Sequence, residues 1–213
     1  MEDVAARLYA RQRGSGNQIE AYSKQALNFT RGVRKGADVL EVGSGPGYLA
    51  IEMARLRRVR VTGLDISRSF VAIANQNARQ AAVKIDFRLG DAANMPFDSE
   101  SFDLVVCQAA FKDFAEPGMA LNEIHRVLRR GGTAAIQDMS GDATRSDLVK
   151  AVTSMELSWL GAFMTKWSLA MVRRRASSRA QFERLAAESA FLTCDIKTEG
   201  LSVEVRLKRA ARP

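Results

Sequence analysis

The chain has 213 residues, 46% of them hydrophobic and 26% charged, with four prolines and no biased tract, which suits one folded α/β domain and excludes a disordered or fibrous chain. A formal net charge of +8 favours contact with something anionic, such as nucleic acid, acidic lipid or an acidic metabolite, but the positive residues are spread along the chain, and solvated faces are the preferred reading. Two cysteines and a single histidine argue against a disulfide framework, a metal site or hydrolytic machinery built on several imidazoles.

The amino terminus carries Arg7, Arg11 and Arg13 without the apolar run of a secretory signal, so a cytoplasmic protein is expected, with Cys107 and Cys194 as free buried thiols. Residues 4–29 have helical periodicity broken by Gly14-Ser15-Gly16, which predicts two short helices ahead of the sheet, a cap over residues 1–35 able to close over a ligand. From Asp38 onward, short runs of Val, Ile and Leu alternate with helical stretches, the pattern of βαβ units winding a parallel sheet. Strands are predicted at Val39–Val42, Val59–Leu64, Lys84–Leu89, Leu104–Cys107 and Thr133–Gln137. Helices fall at Tyr48–Leu56, Arg68–Ala82 and Ala120–Arg129, the last ended by Gly131-Gly132 at a left-handed terminus.

Past the core of residues 36–138, residues 139–190 are too long for one crossover helix and form a helical insertion. Within it, Met155, Trp159, Phe163, Trp167 and Met171 recur every four residues as an apolar stripe. The stripe is expected to pack on the domain; left partly exposed, it would line an acceptor pocket or make a dimer contact. Glu156, Thr165 and Lys166 interrupt the segment, so no membrane-spanning helix is expected. Ser178 and Gln181 read as a capping box opening a helix through Glu188. Within residues 191–213, Leu192–Lys197 and Ser202–Lys208 form an antiparallel hairpin around Thr198-Glu199-Gly200.

The most informative segment is Val39-Leu40-Glu41-Val42-Gly43-Ser44-Gly45-Pro46-Gly47-Tyr48, a strand running into a glycine-rich turn and a helix. Glycines there let backbone approach a ligand, and the helix start offers unpaired amides to a carboxylate or phosphate. Glycines at 43, 45 and 47, with Tyr48 where a dinucleotide fingerprint wants its third glycine, argue against a nicotinamide enzyme. About twenty residues on, Val61-Thr62-Gly63-Leu64-Asp65-Ile66-Ser67 ends a strand in a carboxylate able to accept from vicinal ribose hydroxyls, with Ser67 free to cap the next helix. Leu89-Gly90-Asp91-Ala92 follows the third strand, and Gln108 tips the fourth, ahead of Phe111-Lys112-Asp113-Phe114.

In this order, from Asp38 to Gln137, these segments resemble the motifs of class I S-adenosylmethionine-dependent methyltransferases of the small-molecule type. The resemblance implies a three-layer Rossmann-like fold, a mostly parallel seven-stranded sheet with a C-terminal antiparallel hairpin and helices on both faces. It implies S-adenosylmethionine as cofactor, with S-adenosylhomocysteine as product, held by Glu41, Gly43, Ser44, Gly45, Gly47, Asp65, Ile66, Asp91, Ala92 and Gln108. Glu41 would help organise the methionine ammonium, and Asp91 would meet the adenine amino group. Phe111, Lys112, Trp159 and Phe163 are candidates for contact with a small, partly hydrophobic acceptor.

Methyl transfer from a sulfonium is an in-line displacement that needs alignment more than a catalytic triad, so Asp113, His125 and Tyr22 stand only as candidate bases. Two alternatives remain. A nucleic-acid methyltransferase agrees with the charge, but an Asn/Asp-Pro-Pro-aromatic clamp is replaced here by Gln108-Ala109-Ala110-Phe111. A non-catalytic or regulatory module could keep the same nucleoside pocket without turnover. A homodimer is compatible with the stripe.

Overall fold

The computed structural model describes residues 3–56, 58–153, 155 and 159–211. Its centre is a seven-stranded sheet of β1 (Ala37–Val42), β2 (Val59–Asp65), β3 (Asp86–Leu89), β4 (Phe102–Gln108), β5 (Leu128–Met139), β6 (Asp195–Glu199) and β7 (Ser202–Lys208), in the order β3-β2-β1-β4-β5-β7-β6. The first five strands pair in parallel, whereas β7 pairs antiparallel with both β5 and β6. The strand order reverses between β1 and β4, so the loops after these strands diverge at their carboxyl ends, the place where open α/β sheets bind ligands.

Strand side chains alternate between faces, and β1 shows the consequence. Val39 joins one buried cluster with Tyr22, Ala26 and Phe29 of α2 (Gly16–Thr30), Leu49 and Met53 of α3 (Tyr48–Arg55) and Ala74 of α4 (Arg68–Gln80). Leu40, its neighbour, joins the opposite cluster with Leu121 and Ile124 of α5 (Pro117–Val127) and Phe182 of α8 (Arg179–Glu188). Helices therefore cover both faces, and a sheet buried on both sides explains why its strands read as near-continuous runs of Val, Ile and Leu. The remaining helices are α1 (Asp3–Arg13), α6 (Arg145–Thr153) and α7 (Trp159–Arg175). Among the described residues, no helix is long and apolar enough to cross a membrane.

Local signals largely hold. Ser67 caps α4 by accepting from the Phe70 amide, and Ser178 and Gln181 form the reciprocal capping box at α8. Three expectations need correction. The helix α5 stops at Val127, and Gly131-Gly132 lies inside β5 instead of ending the helix. Leu128 is already extended (φ −69°, ψ 139°). Gly131, at φ +77°, sits where the pairing of β4 with β5 shifts register, and its amide donates to the Arg209 carbonyl. The hairpin is displaced too: β6 begins at Asp195, and Gly200-Leu201 forms a two-residue loop between the paired Glu199 and Ser202. Finally, Cys107 is buried as expected, but Cys194 is only half-buried.

Close packing behind the glycine turn depends on Gly63 of β2, where an added Cβ would lie 2.3 Å from Cδ1 and 2.6 Å from Cε1 of the buried Phe87 ring. Gly63→Ala is expected to destabilise the fold by about 1–3 kcal/mol through this overpacking, a fall in Tm of roughly 2–12 °C by thermal denaturation.

Candidate functional site

The carboxyl ends of β1 to β4 converge. After β1, the Gly43 and Ser44 amides both donate to the Leu64 carbonyl of β2, at 2.8 and 3.0 Å. The Asn77 side-chain amide then pins the Pro46 carbonyl at 2.9 Å. Gly45 is left-handed at φ +51° with nothing within 4 Å of its missing Cβ, an open position facing outward from the turn. Gly47 is also left-handed, at φ +80°, and leads into α3 with no side chain capping that helix start, which leaves its first amides to other acceptors.

Asp65 binds this edge together. One carboxylate oxygen accepts from the Gly45 amide at 2.7 Å and the other from the Ser67 amide at 2.9 Å, while its carbonyl accepts from the Gly90 amide at 3.0 Å. Asp91 is thereby set beside Asp65, exposed, with its carboxylate accepting from the Ala93 amide at 2.9 Å; Ala92 is buried. Ile66, next to Asp65, is 70% exposed, an apolar side chain left on an otherwise polar rim. From the other side, the loop after β4 brings Ala110 so close that a Cβ on Gly43 would meet the Ala110 Cβ at 2.5 Å, and half-buried Gln108 pairs with Gln137 just before this loop. The structure thus gathers Glu41, Gly43, Ser44, Gly45, Gly47, Asp65, Ile66, Asp91, Ala92 and Gln108 along one sheet edge.

Polar groups here are under-satisfied. Among the described residues, four buried side-chain atoms have no hydrogen-bond partner, and they include Glu41 Oε2 and Ser44 Oγ. Burial pushes the Glu41 carboxyl up to about 8, with the nearby Asp65 charge adding to the rise and the Ala50 amide of α3 opposing it. An open glycine cradle, two orphaned acceptors beneath it and a helix start fit the amino-acid end of a nucleoside sulfonium, and Asp65 with exposed Ile66 fits its ribose and base.

Residues ahead of the sheet reach the same region. Tyr22 stacks on Tyr48, with ring centroids 6.0 Å apart, and the Tyr48 hydroxyl donates to the Ala10 carbonyl of α1 at 2.9 Å. The Arg13 guanidinium lies 5.7 Å from the ring centroids of both Tyr9 and Tyr22, and its buried Nε is another of the unpartnered atoms. Sequence reasoning missed Arg13 and Tyr9. The clue available was the break at Gly14-Ser15-Gly16, which lets α1 fold back, α1 meeting α4 through the edge contact of Tyr9 with Phe70.

Several acceptor-side expectations change. Tyr22 is buried, and burial pushes its hydroxyl up to about 12 with the Arg13 charge opposing, so it is a proton donor rather than a base at neutral pH. His125 sits near the end of α5, where the Glu100 and Ser101 amides donate to the adjacent Arg126 and Val127 carbonyls just ahead of β4. That is the opposite edge of the sheet. Its ring packs on Phe191, and burial, then Arg209, lowers its pKa. Phe111 is buried between Phe114 and Phe182 and belongs to the core.

Lys112 is also drawn inward. Its ammonium lies 3.5 Å from Asp138 and 3.2 Å from Asp113 and donates to the Ala109 carbonyl, while its backbone amide donates to Asp138 at 3.1 Å. Asp113 is additionally paired with Arg175 from the end of α7. Asp138, at the end of β5, was not foreseen; an acidic residue closing an apolar strand was the only signal. The Trp159 side chain lies outside the described residues, and Phe163 is exposed on α7.

The strand order and the glycine-rich turn with a following carboxylate define the Rossmann-like class I methyltransferase fold. Residues 40–136 match the methyltransferase domain family. The chain is similar to a demethylmenaquinone methyltransferase of Chlorobaculum tepidum, 37% identical over 54% of this chain and 45% of that protein. It is also similar to a 27-O-demethylrifamycin SV methyltransferase of Amycolatopsis mediterranei, 35% identical over 50% of this chain and 40% of that protein. The chain spans less than half the length of these two curated relatives. A solved putative S-adenosyl-L-methionine-dependent methyltransferase from Methanococcus maripaludis shares the fold, with a TM-score of 0.72 at 20% identity, covering 98% of this chain and 93% of that one.

Two measurements check the electrostatics. Because the folded pKa of Glu41, about 8, lies above its ordinary 4.5, its favourable contribution is fully present below the lower value and is lost as pH rises through the upper one. Glu41→Gln is therefore expected to flatten the decline in Tm between about pH 5 and about pH 9. Lys112→Met should destabilise the fold by about 3–5 kcal/mol by stranding buried Asp138, and adding Asp138→Asn should recover most of that loss in chemical denaturation.

Proposed function

We propose that this chain is an S-adenosylmethionine-dependent methyltransferase that acts on a small, partly hydrophobic acceptor. The observation that carries the reading is the single edge on which Gly45, Asp65, exposed Ile66 and Asp91 line up above the unpartnered Glu41 and Ser44 oxygens. The two relatives named above, whose names give a demethylmenaquinone and a demethylated rifamycin as acceptors, support the acceptor class.

Bound S-adenosylmethionine supplies a methyl group already activated on a sulfonium. The residues of the chain bind and orient. The open turn at Gly45 and the start of α3 receive a carboxylate. Asp65 accepts from vicinal hydroxyls, Asp91 from an exocyclic amine, and Ile66 with Ala92 flanks an apolar ring. Glu41 gives up its proton when an ammonium is seated beside it, since an adjacent positive charge favours its ionised form. No base is assigned: Asp113 is committed to Arg175 and Lys112, and an acidic acceptor needs none. Alignment and exclusion of water then lower the barrier.

Calorimetry with S-adenosylmethionine and S-adenosylhomocysteine tests the reading. Micromolar binding, weakened at least tenfold by Asp65→Ala and accompanied by proton release near neutral pH, is expected. No binding of either nucleoside would remove the basis of the proposal. Binding without turnover on any acceptor would favour the regulatory module, and tighter binding in the presence of tRNA would favour a nucleic-acid acceptor, the reading that the net charge of +8 supports.

A further inference from the structure

The helix α7 is apolar on two opposite faces. Half-buried Leu169 and Val172 lie on one side, and α6, with buried Leu148 and Val152, is the element it packs against. On the other side Phe163, Met164, Trp167 and Met171 fall within one sector of the helix surface. They remain in water, Phe163 67% and Trp167 65% exposed. Of the stripe expected to pack on the domain, Phe163, Trp167 and Met171 thus face away from it. The reason lies in the sequence: the helix carries two apolar stripes, and α6 covers one.

Charge says what the other stripe meets. Residues 159–175 hold no Asp or Glu, and Lys166 and Arg175 flank the exposed sector while Arg174 closes its end. A second copy of this face would set like charges against each other across a two-fold axis. A nucleic acid would pair with the cations but leave Phe163 and both methionines without an apolar environment. An anionic lipid surface meets both demands, since apolar side chains enter the headgroup and acyl boundary, tryptophan favours that boundary, and Lys and Arg pair with lipid phosphates.

The carboxyl end of α7 is fixed to the carboxyl edge of the sheet. Arg175 pairs with Asp113, the Arg173 guanidinium donates to the Ala143 carbonyl at 2.7 Å, and the Gly141 amide donates to the Ser177 carbonyl at 2.9 Å. We propose that α7 docks on an anionic bilayer through Phe163, Met164, Trp167 and Met171, with Lys166 and Arg174 on lipid phosphates. The mouth of the site then lies against the membrane, and its acceptor comes from the lipid phase. The docking is independent of the methyltransferase reading; only the source of the acceptor rests on it.

Both tryptophans of the chain, Trp159 and Trp167, lie in α7, so intrinsic fluorescence reports on this helix alone. Flotation and fluorescence of the full chain are compared on vesicles of phosphatidylcholine and on equal mixtures of phosphatidylcholine and phosphatidylglycerol. The expected result is a blue shift and co-flotation on the anionic vesicles only, fading as salt rises. Trp167→Ser with Met171→Ser, or Arg174→Glu alone, should lose at least tenfold in vesicle affinity while melting temperature and nucleoside binding stay unchanged. The proposal is overturned if anionic vesicles are not bound, if these variants bind them as well as wild type, or if sedimentation finds a dimer that the double substitution dissociates. It is overturned equally if tRNA is bound in place of vesicles and that binding depends on the same residues. Nucleoside binding without vesicle binding sinks the docking alone; vesicle binding without nucleoside binding sinks only the transferase.

Discussion

The two amide hydrogens accepted by the Asp65 carboxylate organise the working end of this molecule. One comes from Gly45, in the turn after β1, and the other from Ser67, at the start of α4. A single side chain therefore sets the distance between the glycine turn and the second strand, and through the Gly90 amide on its carbonyl it also places the loop after β3. An ionised carboxylate offers roughly four lone-pair directions and can accept from several donors at once. Holding the turn and presenting an acceptor to a ligand are then compatible tasks for the same group, and the first makes the second accurate.

The two edges of the sheet treat charge in opposite ways. At the amino edge Asp38 accepts from Arg60 and Arg129, and Asp103 accepts from Arg34, Arg129 and the Asp38 amide. Those partners hold the Asp38 carboxyl below its usual range, Arg60 foremost. At the carboxyl edge Glu41 is buried with an unpartnered oxygen and is shifted the other way. A buried acid without a cation is a standing penalty, and proteins keep such penalties where something outside the fold relieves them. The contrast within one sheet locates the site more sharply than the glycines alone.

Much of this was legible because it is local. Glycines at 43, 45 and 47, a carboxylate closing β2 and Ser67 in capping position are all written within a few residues, and strand runs of Val and Leu follow from burial on both faces. What failed depends on partners distant in sequence. Gly131-Gly132 looks like a helix stop, yet Arg209, far along the chain, supplies guanidinium donors to the His125, Arg126 and Leu128 carbonyls and so closes α5 earlier. Phe111 and Lys112 look like acceptor contacts because they follow β4. Phe182 of α8 and Asp138 of β5 claim them instead, and no spacing within the fourth motif announces either partner.

The stripe from Met155 to Met171 failed for a different reason. Periodicity states that one side of a helix is apolar, but not which apolar side the rest of the chain covers. In α7 the four-residue repeat of Phe163, Trp167 and Met171 dominates the eye, while the quieter pair Leu169 and Val172, on the opposite side, is the half-buried one. A helix of this kind gains from burying either face, so its orientation is decided by whichever neighbour supplies the better complement. Here α6 is short and offers Leu148 and Val152, small enough for the quieter face. The larger aromatic face, bordered by cations and free of carboxylates, remains suited to an apolar medium with anionic groups at its boundary, which is a property of bilayers more than of folded protein surfaces.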